Sequence, residues 1–235
     1  MSISIRRSIR WLPDAASEPT STIVLTSPER RFVDIRVLKA APEQSTASLD
    51  WAFAGISFSE MRHGVRHAAW RHVVDSRTPT PGAVVDEGDI FPQHDGTTLE
   101  TGRMVNPATG DLTEYEEVWT DLEAEGILPA SPNQGALTGR PTARCVVLEL
   151  EDGHREARGF AICLGRYYQG VARVGHDFAA ERWLWTEGEW RPEYRVGHLR
   201  IPRSTLLDNP SLSGGDEVGS EDTCQRWRVA EVARL

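Results

Sequence analysis

The sequence has few cysteines, no long apolar run and no excess of positive charge. Its three cysteines, Cys145, Cys163 and Cys224, include no close-spaced pair, so neither a disulfide framework nor a metal knuckle is indicated. No stretch approaches the ~18 apolar residues of a transmembrane helix, and residues 1–11 lack the apolar run of a signal peptide. We therefore expect a protein of the cytoplasm or nucleus that does not insert into a membrane.

The charge balance also excludes one class of partner. The formal net charge is −9 at pH 7, whereas a protein that binds nucleic acid needs a basic surface. No nucleophile elbow, phosphate loop or dinucleotide fingerprint occurs, so we expect no cofactor and no metal. With 39% hydrophobic and 26% charged residues, the composition is that of an ordinary folded protein.

Residues 157–174 carry the clearest structural pattern in the sequence. Phe160, Ile162 and Leu164 alternate with smaller or polar residues, and this period of two indicates a β-strand rather than a helix. If the alternation continues past Gly165, Arg166 and Tyr168 lie on the same face as the apolar residues. The segment then predicts one long strand that bends at its glycines, as strands do in a barrel.

Similar short segments recur along the whole chain, separated by turn signals, and predict an all-β fold with little helix. Three stretches rich in Pro, Gly, Asp or Ser are interpreted as loops: residues 76–96, 121–141 and 203–223. The middle one lies near the centre of the chain and is taken as a domain junction. We therefore predict two domains, residues 1–125 and residues 126–235.

Several short motifs occur in a characteristic order. Residues 50–55 read D-W-A-F-A-G, residues 115–119 read Y-E-E-V-W, residues 131–133 read S-P-N, and residues 164–170 read L-G-R-Y-Y-Q-G. In this order the chain resembles the fungal Hri-type family, named for a yeast member that interacts with a casein-kinase-one homologue. The resemblance implies two lipocalin-like antiparallel β-barrel domains in tandem. Binding of a kinase is not carried over on these motifs.

One candidate site follows from charged residues predicted on an apolar strand face. Arg166 and Tyr168 would point into a barrel, and a buried arginine needs a carboxylate partner. Glu117, which lies between Tyr115 and Trp119 on its own face, is the candidate partner. Such a group could form the polar end of a ligand cavity. It could equally be a structural pair that joins two strands, which is common inside barrels.

The histidines and the other aromatic residues also have more than one interpretation. His63, His67 and His72 do not share one strand face, so a metal site is not expected. His176, next to Asp177, is either an acid–base group at a barrel mouth or part of a solvated turn. The aromatic side chains that could contact a ligand could also pack in the core; they are Trp51, Phe53, Tyr115, Trp119, Trp183 and Trp185.

Two hypotheses for function remain. The first is a non-catalytic binding or adaptor protein whose partner is a small hydrophobic molecule or another protein. The alternative is a cofactor-independent isomerase, cyclase or dehydratase that acts on a hydrophobic small molecule in fungal specialised metabolism. In the enzyme, Arg166 or Tyr168 would stabilise an oxyanion, Glu117 would move a proton, and His176 would be a second candidate base.

Overall fold

The computed structural model describes residues 1–39, 48–127, 143–152, 156–208, 211–219 and 225–234. Almost all regular structure in these ranges is β, which confirms the all-β prediction. One short helix, α1 (Arg203–Asp208), and one 3-10 turn (Pro81–Ala83) are the exceptions there. No helix in the described ranges is long and apolar enough to span a membrane.

The first half of the chain forms a closed antiparallel barrel of eight strands. Each strand pairs with the next in sequence, and the last strand pairs with the first to close the ring. The barrel strands are β1 (Ser2–Trp11), β2 (Thr20–Thr26), β3 (Arg31–Leu38), β4 (Leu49–Arg62), β5 (Val65–Asp75), β6 (Glu87–Pro92), β7 (Thr98–Val105) and β8 (Leu112–Leu122).

The second half forms a sheet of seven strands in the order β13-β12-β11-β10-β9-β15-β14. Its strands are β9 (Arg144–Asp152), β10 (Ala157–Leu164), β11 (Tyr167–Val174), β12 (Asp177–Thr186), β13 (Glu189–Val196), β14 (Glu217–Val218) and β15 (Trp227–Arg234). The barrel thus ends at Leu122 and the second sheet begins at Arg144. The exact domain boundary, between residues 125 and 126, stays a prediction.

Residues 157–174 form a hairpin, so the prediction of one long bent strand is wrong. Gly165 has a φ of 55° and, with Arg166, makes the turn between β10 and β11. Cys163 lies directly opposite Tyr168 in the ladder. Directly opposed residues point to the same side of a sheet, so Tyr168 shares a face with Cys163. Odd-numbered residues before the turn therefore share a face with even-numbered residues after it. Tyr168 therefore lies on the face opposite to that of Leu164.

The barrel and the second sheet share one hydrophobic core. In β3, Val33, Ile35 and Val37 pack against residues of the second sheet, among them Phe160 and Ile162. The alternate residues of β3 point into the barrel. This strand is therefore covered on both faces, which explains why all its residues from 32 to 37 are buried.

Two buried side chains of the second sheet hold the two halves together. Gln169 donates from Nε2 to the backbone oxygens of Ile23 (3.0 Å) and Val33 (2.9 Å) in the barrel. Arg182 donates from Nε to Oε1 of Gln169 (2.8 Å) and from Nη1 to Oγ of Ser21 (3.0 Å). Burial lowers the pKa of Arg182 to about 10. The contact between barrel and sheet is thus partly polar and specific.

The loop predicted for residues 76–96 contains strand β6, and this part of the prediction is wrong. Gly88 in β6 pairs with Gly102 in β7, although glycine usually weakens strands. Here a Cβ on Gly102 would lie 2.7 Å from both the backbone oxygen of Glu87 and the hydroxyl of Tyr115. The glycines leave room for the Tyr115 ring, so tertiary packing outweighs their low strand propensity.

The loop predicted for residues 203–223 is interrupted by α1 and by the two residues of β14. The S-P-N motif at residues 131–133 lies outside the described residues.

Candidate ligand cavity in the barrel

A cavity of about 270 Å³ lies inside the eight-stranded barrel. Its lining changes from exposed residues at one end to buried residues at the other, so it has a mouth and an inner end. The mouth is formed by Arg30, Phe58, Ser59, Arg66 and Asp121. The inner residues combine aromatic and charged side chains: Phe32, Asp34, Arg36, Phe53, Asp86, Glu100 and Glu117.

Two arginines meet one carboxylate at the inner end. Glu117 accepts hydrogen bonds through Oε1 from Nη1 of Arg6 and, at 3.4 Å, from Nη1 of Arg36. Arg36 also donates to Oδ2 of Asp34, from Nε at 3.0 Å, and its Nη2 lies 2.9 Å from the same oxygen. Burial opposes the charge of Arg36, but the nearby carboxylates of Asp34 and Glu117 raise its pKa. Arg36 therefore stays a cation enclosed by two carboxylates.

Aromatic rings hold this guanidinium from the side. The central carbon of the Arg36 guanidinium lies 5.0 Å from the ring centre of Trp51 and 5.3 Å from that of Phe53. These distances are within the range of a cation–π interaction. The two rings thus fix Arg36 in position as well as contributing apolar surface.

Glu100 and Tyr115 form a second buried pair beside this network. The Tyr115 hydroxyl donates to Oε1 of Glu100 at 2.8 Å. Glu100 lies opposite Glu117 in the β7–β8 ladder. Burial, together with the neighbouring charges of Glu117 and Asp86, raises the pKa of Glu100 well above its usual value. The cavity therefore contains two facing carboxyl groups, Glu117 bound by two arginines and Glu100 with a raised pKa.

A buried histidine bridges two more carboxylates near the cavity. His72 places Nδ1 2.8 Å from Oδ2 of Asp75 and Nε2 3.0 Å from Oδ2 of Asp86. Its ring stacks on Phe53 with the ring centres 4.2 Å apart. Burial favours the neutral ring, but the hydrogen bonds to both carboxylates raise the pKa of His72. In the described ranges, no three His, Cys, Asp or Glu side chains are placed to hold a metal ion.

Two polar atoms of the cavity wall have no hydrogen-bond partner among the described residues. Within the part of the chain that the structure describes, neither Oδ1 of Asp34 nor Nε1 of Trp119 makes a hydrogen bond, although both atoms are buried. Burial, with Glu117 close by, raises the pKa of Asp34 even though Arg36 binds its other oxygen. A buried polar atom without a partner is costly, so these two positions suit a bound molecule.

Comparison with known proteins agrees with this architecture. The family model described as Protein HRI1 matches residues 2–231. The chain belongs to the HRI1 family. The fold of this HRI1-family chain is similar to that of an uncharacterized protein from Saccharomyces cerevisiae solved by crystallography. The two chains superpose with a TM-score of 0.75 at 21% identity, over 99% of this chain and 98% of the other. A search of curated proteins finds no match.

Some of the residues predicted from sequence do meet in the HRI1-family barrel. Glu117, Trp119 and Phe53 line the cavity. Tyr115 is buried on Glu100, and Trp51 donates from Nε1 to Oδ1 of Asp75 at 2.9 Å. The structure therefore brings five of the predicted residues to one site, although their roles stay predictions.

The predicted pair of Arg166 and Glu117 is wrong. Arg166 lies in the exposed turn of the β10–β11 hairpin, where its Nη1 is 3.2 Å from Oε2 of Glu125. Tyr168 is buried in the second sheet and donates to Oε1 of Glu181 at 3.0 Å. The hairpin turn thus places Arg166 at the surface and Tyr168 inside the second sheet, and neither residue reaches the barrel cavity.

The remaining predicted residues also lie in the second half. His176 is exposed in the turn between β11 and β12, so the solvated-turn interpretation describes its position. Trp185 makes an edge-to-face contact with Trp190 on β13, with ring centres 5.7 Å apart. The guanidinium of Arg203 lies 3.7 Å from the ring centre of Trp183. None of these three residues lines the barrel cavity.

The sequence interpretation missed the acidic and basic residues that surround Glu117. Asp34 and Arg36 share one face of β3, an otherwise apolar strand, and this spacing was a usable signal of a buried ion pair. Glu100 and Asp86 gave no such signal. They lie in segments that resemble loops by composition.

Proposed function

We propose that the barrel is a binding protein for a small organic molecule with an apolar body and one polar end. The observation that supports this most directly is the cavity itself, with aromatic walls and charged groups at its inner end. Ligand sites are typically concave and mostly apolar, with a few polar groups that fix orientation.

The size of the cavity fits a small ligand. Its 270 Å³ is close to the lower end of ordinary ligand pockets, which begin at roughly 300 Å³. It exceeds the roughly 150 Å³ at which a buried apolar cavity already binds benzene. A molecule of one or two rings is the expected size.

A filled-cavity variant tests this proposal. Ala68 lines the cavity, whereas Ala69, the next residue on β5, points to the other side of the strand. Native mass spectrometry of the purified chain after incubation with a small-molecule extract should show a bound adduct. Ala68→Phe should remove the adduct and Ala69→Phe should keep it. Absence of an adduct on the wild type, or equal adducts on both variants, contradicts the proposal.

A second candidate function is catalysis in the same cavity without a cofactor, as an isomerase, cyclase or lyase. It is supported by the facing carboxyl groups of Glu100 and Glu117: burial and neighbouring charges raise the pKa of Glu100, and two arginines bind Glu117. Such a pair can supply an acid and a base at one pH. The same extract should then contain products of unchanged mass, or of mass lowered by one water. These should disappear with Glu100→Gln; unchanged product with this variant contradicts catalysis by the pair.

The location in the cytoplasm or nucleus is likewise proposed, supported by the acidic and cysteine-poor sequence. An adaptor role toward a protein partner stays a prediction.

A further inference from the structure

The inner end of the barrel cavity has more acidic than basic groups. The buried carboxyl groups of its network outnumber the cationic groups that pair with them, even if Glu100 is counted as neutral. The acids are Asp34, Asp75, Asp86, Glu100 and Glu117, and the cations are Arg6, Arg36 and His72. Buried charge of one sign is costly, so a compensating positive charge would stabilise the network.

Asp34 has a buried carboxylate oxygen that accepts no hydrogen bond from the described residues. Its side chain is only 3% exposed, and Arg36 contacts it through Oδ2 alone. Within the described ranges Oδ1 has no hydrogen-bond donor, and Asp34 lines the cavity. A donor on a ligand that reached this oxygen would complete the hydrogen bonding of a buried carboxylate.

The cations near the cavity do not favour an anionic ligand. Arg36 is enclosed by Asp34 and Glu117, so its charge is already neutralised. Arg30 and Arg66 lie at the exposed mouth, where solvent and salt screen their charges, and Asp121 lies there too. The aromatic walls suit a cation as well, because the faces of aromatic rings attract positive charge.

We propose that the cavity binds an organic ammonium cation, with its N–H group donating to Oδ1 of Asp34 and its apolar body against the aromatic wall. This inference rests on the proposed binding function and adds the charge of the ligand. Nε1 of Trp119 offers a donor to an acceptor elsewhere on the same molecule.

Three probes of the same indole framework test the charge preference on the full-length wild type. Tryptamine is a cation, tryptophol is neutral and indoleacetate is an anion. By isothermal titration calorimetry we expect tryptamine to bind at least about tenfold more tightly than tryptophol, and indoleacetate to bind most weakly. Equal or tighter binding of tryptophol or indoleacetate overturns the inference, and this comparison requires no variant.

Asp34→Asn then tests the assigned oxygen. It removes the charge and keeps the shape, so tryptamine should lose about tenfold or more in affinity while tryptophol changes by less than about threefold. Asp111→Asn, in the exposed turn between β7 and β8 and outside the cavity lining, is the matched control and should leave both affinities within about twofold. Equal losses for both probes with Asp34→Asn contradict the assignment, provided that thermal melting shows the variant folded.

The outcomes separate this inference from the proposed function. If tryptophol or indoleacetate binds, without a preference for tryptamine, and Ala68→Phe abolishes that binding, the cation inference fails and the cavity remains a binding site. If none of the probes binds and the extract leaves no adduct, both fail.

Discussion

The buried His72 provides the sharpest test of the interior network. The perturbation is His72→Leu, which removes the imidazole but keeps an apolar side chain beside Phe53. His72 is fully buried and contacts Asp75 and Asp86 through its two nitrogens. The substitution therefore leaves two carboxylates without a shared cationic partner.

The size of the effect follows from these contacts. Two charge-assisted hydrogen bonds are lost, each contributing about 1.5–3 kcal/mol. Asp75 keeps two other donors, Nε1 of Trp51 at 2.9 Å and the backbone nitrogen of Arg77 at 2.7 Å, so most of the cost falls on Asp86. We expect the free energy of unfolding to fall by about 3–5 kcal/mol at about pH 6, measured by urea denaturation.

His67 is a matched control in the same strand. It also lies between two carboxylates, with Nδ1 2.8 Å from Asp89 and Nε2 3.4 Å from Glu87. These carboxylates are 48% and 49% exposed, so solvent screens the interaction. His67→Leu should cost less than about 1 kcal/mol. Equal costs at the two positions would refute the argument that burial makes the His72 contacts strong.

The pH dependence gives a second readout. Because the folded-state pKa of His72 is raised above 6.5, the stability from its protonation is fully present below about pH 6.5. It is lost as the pH rises through the folded-state pKa. The stability gap between wild type and His72→Leu should therefore shrink as the pH is raised from about 6 to about 9. A constant gap would show that the folded-state pKa of His72 is not raised.

Three further substitutions test other parts of the structure by urea denaturation. Burial and Glu117 raise the pKa of Glu100, so its protonation stabilises the fold at low pH and this stability is lost as the pH rises. Glu100→Gln should therefore stabilise the protein by about 1 kcal/mol near pH 7, and a lower stability of this variant would refute the argument. Gln169→Leu removes two hydrogen bonds to barrel carbonyls and should cost about 2–3 kcal/mol; a cost below about 1 kcal/mol would contradict a polar joint. Arg166→Ala breaks only an exposed contact with Glu125 and should cost less than about 1 kcal/mol, so a large loss of stability would oppose its surface position.

The sequence predicted the type of fold because a period of two is a local property. In β10 the alternation of Phe160, Ile162 and Leu164 corresponds to the observed faces of the strand. The prediction failed at Gly165, because a glycine in an alternating segment fits a bend as well as a hairpin turn. The difference depends on which residues pair, which is a long-range property.

The cavity was only partly predictable for a similar reason. Glu117 was found because it lies among aromatic residues on one strand. Its actual partners, Arg6 and Arg36, come from β1 and β3 and are distant in sequence. Asp86 and Glu100 were hidden because they flank or belong to short strands with turn-like composition. Pairing across a closed barrel cannot be read from one strand at a time.

Closure of the barrel has a consequence for the order of folding. Strand β1 pairs with β8, and the contact between Arg6 and Glu117 spans 111 positions of the chain. During synthesis the first seven strands therefore leave the ribosome with two unpaired edges, which can pair with other chains. The ring can close only after β8 emerges, and Gln169 reaches Ile23 across 146 positions later still. We expect slow folding governed by long-range contacts, and a nascent chain that depends on chaperones until β8 has emerged.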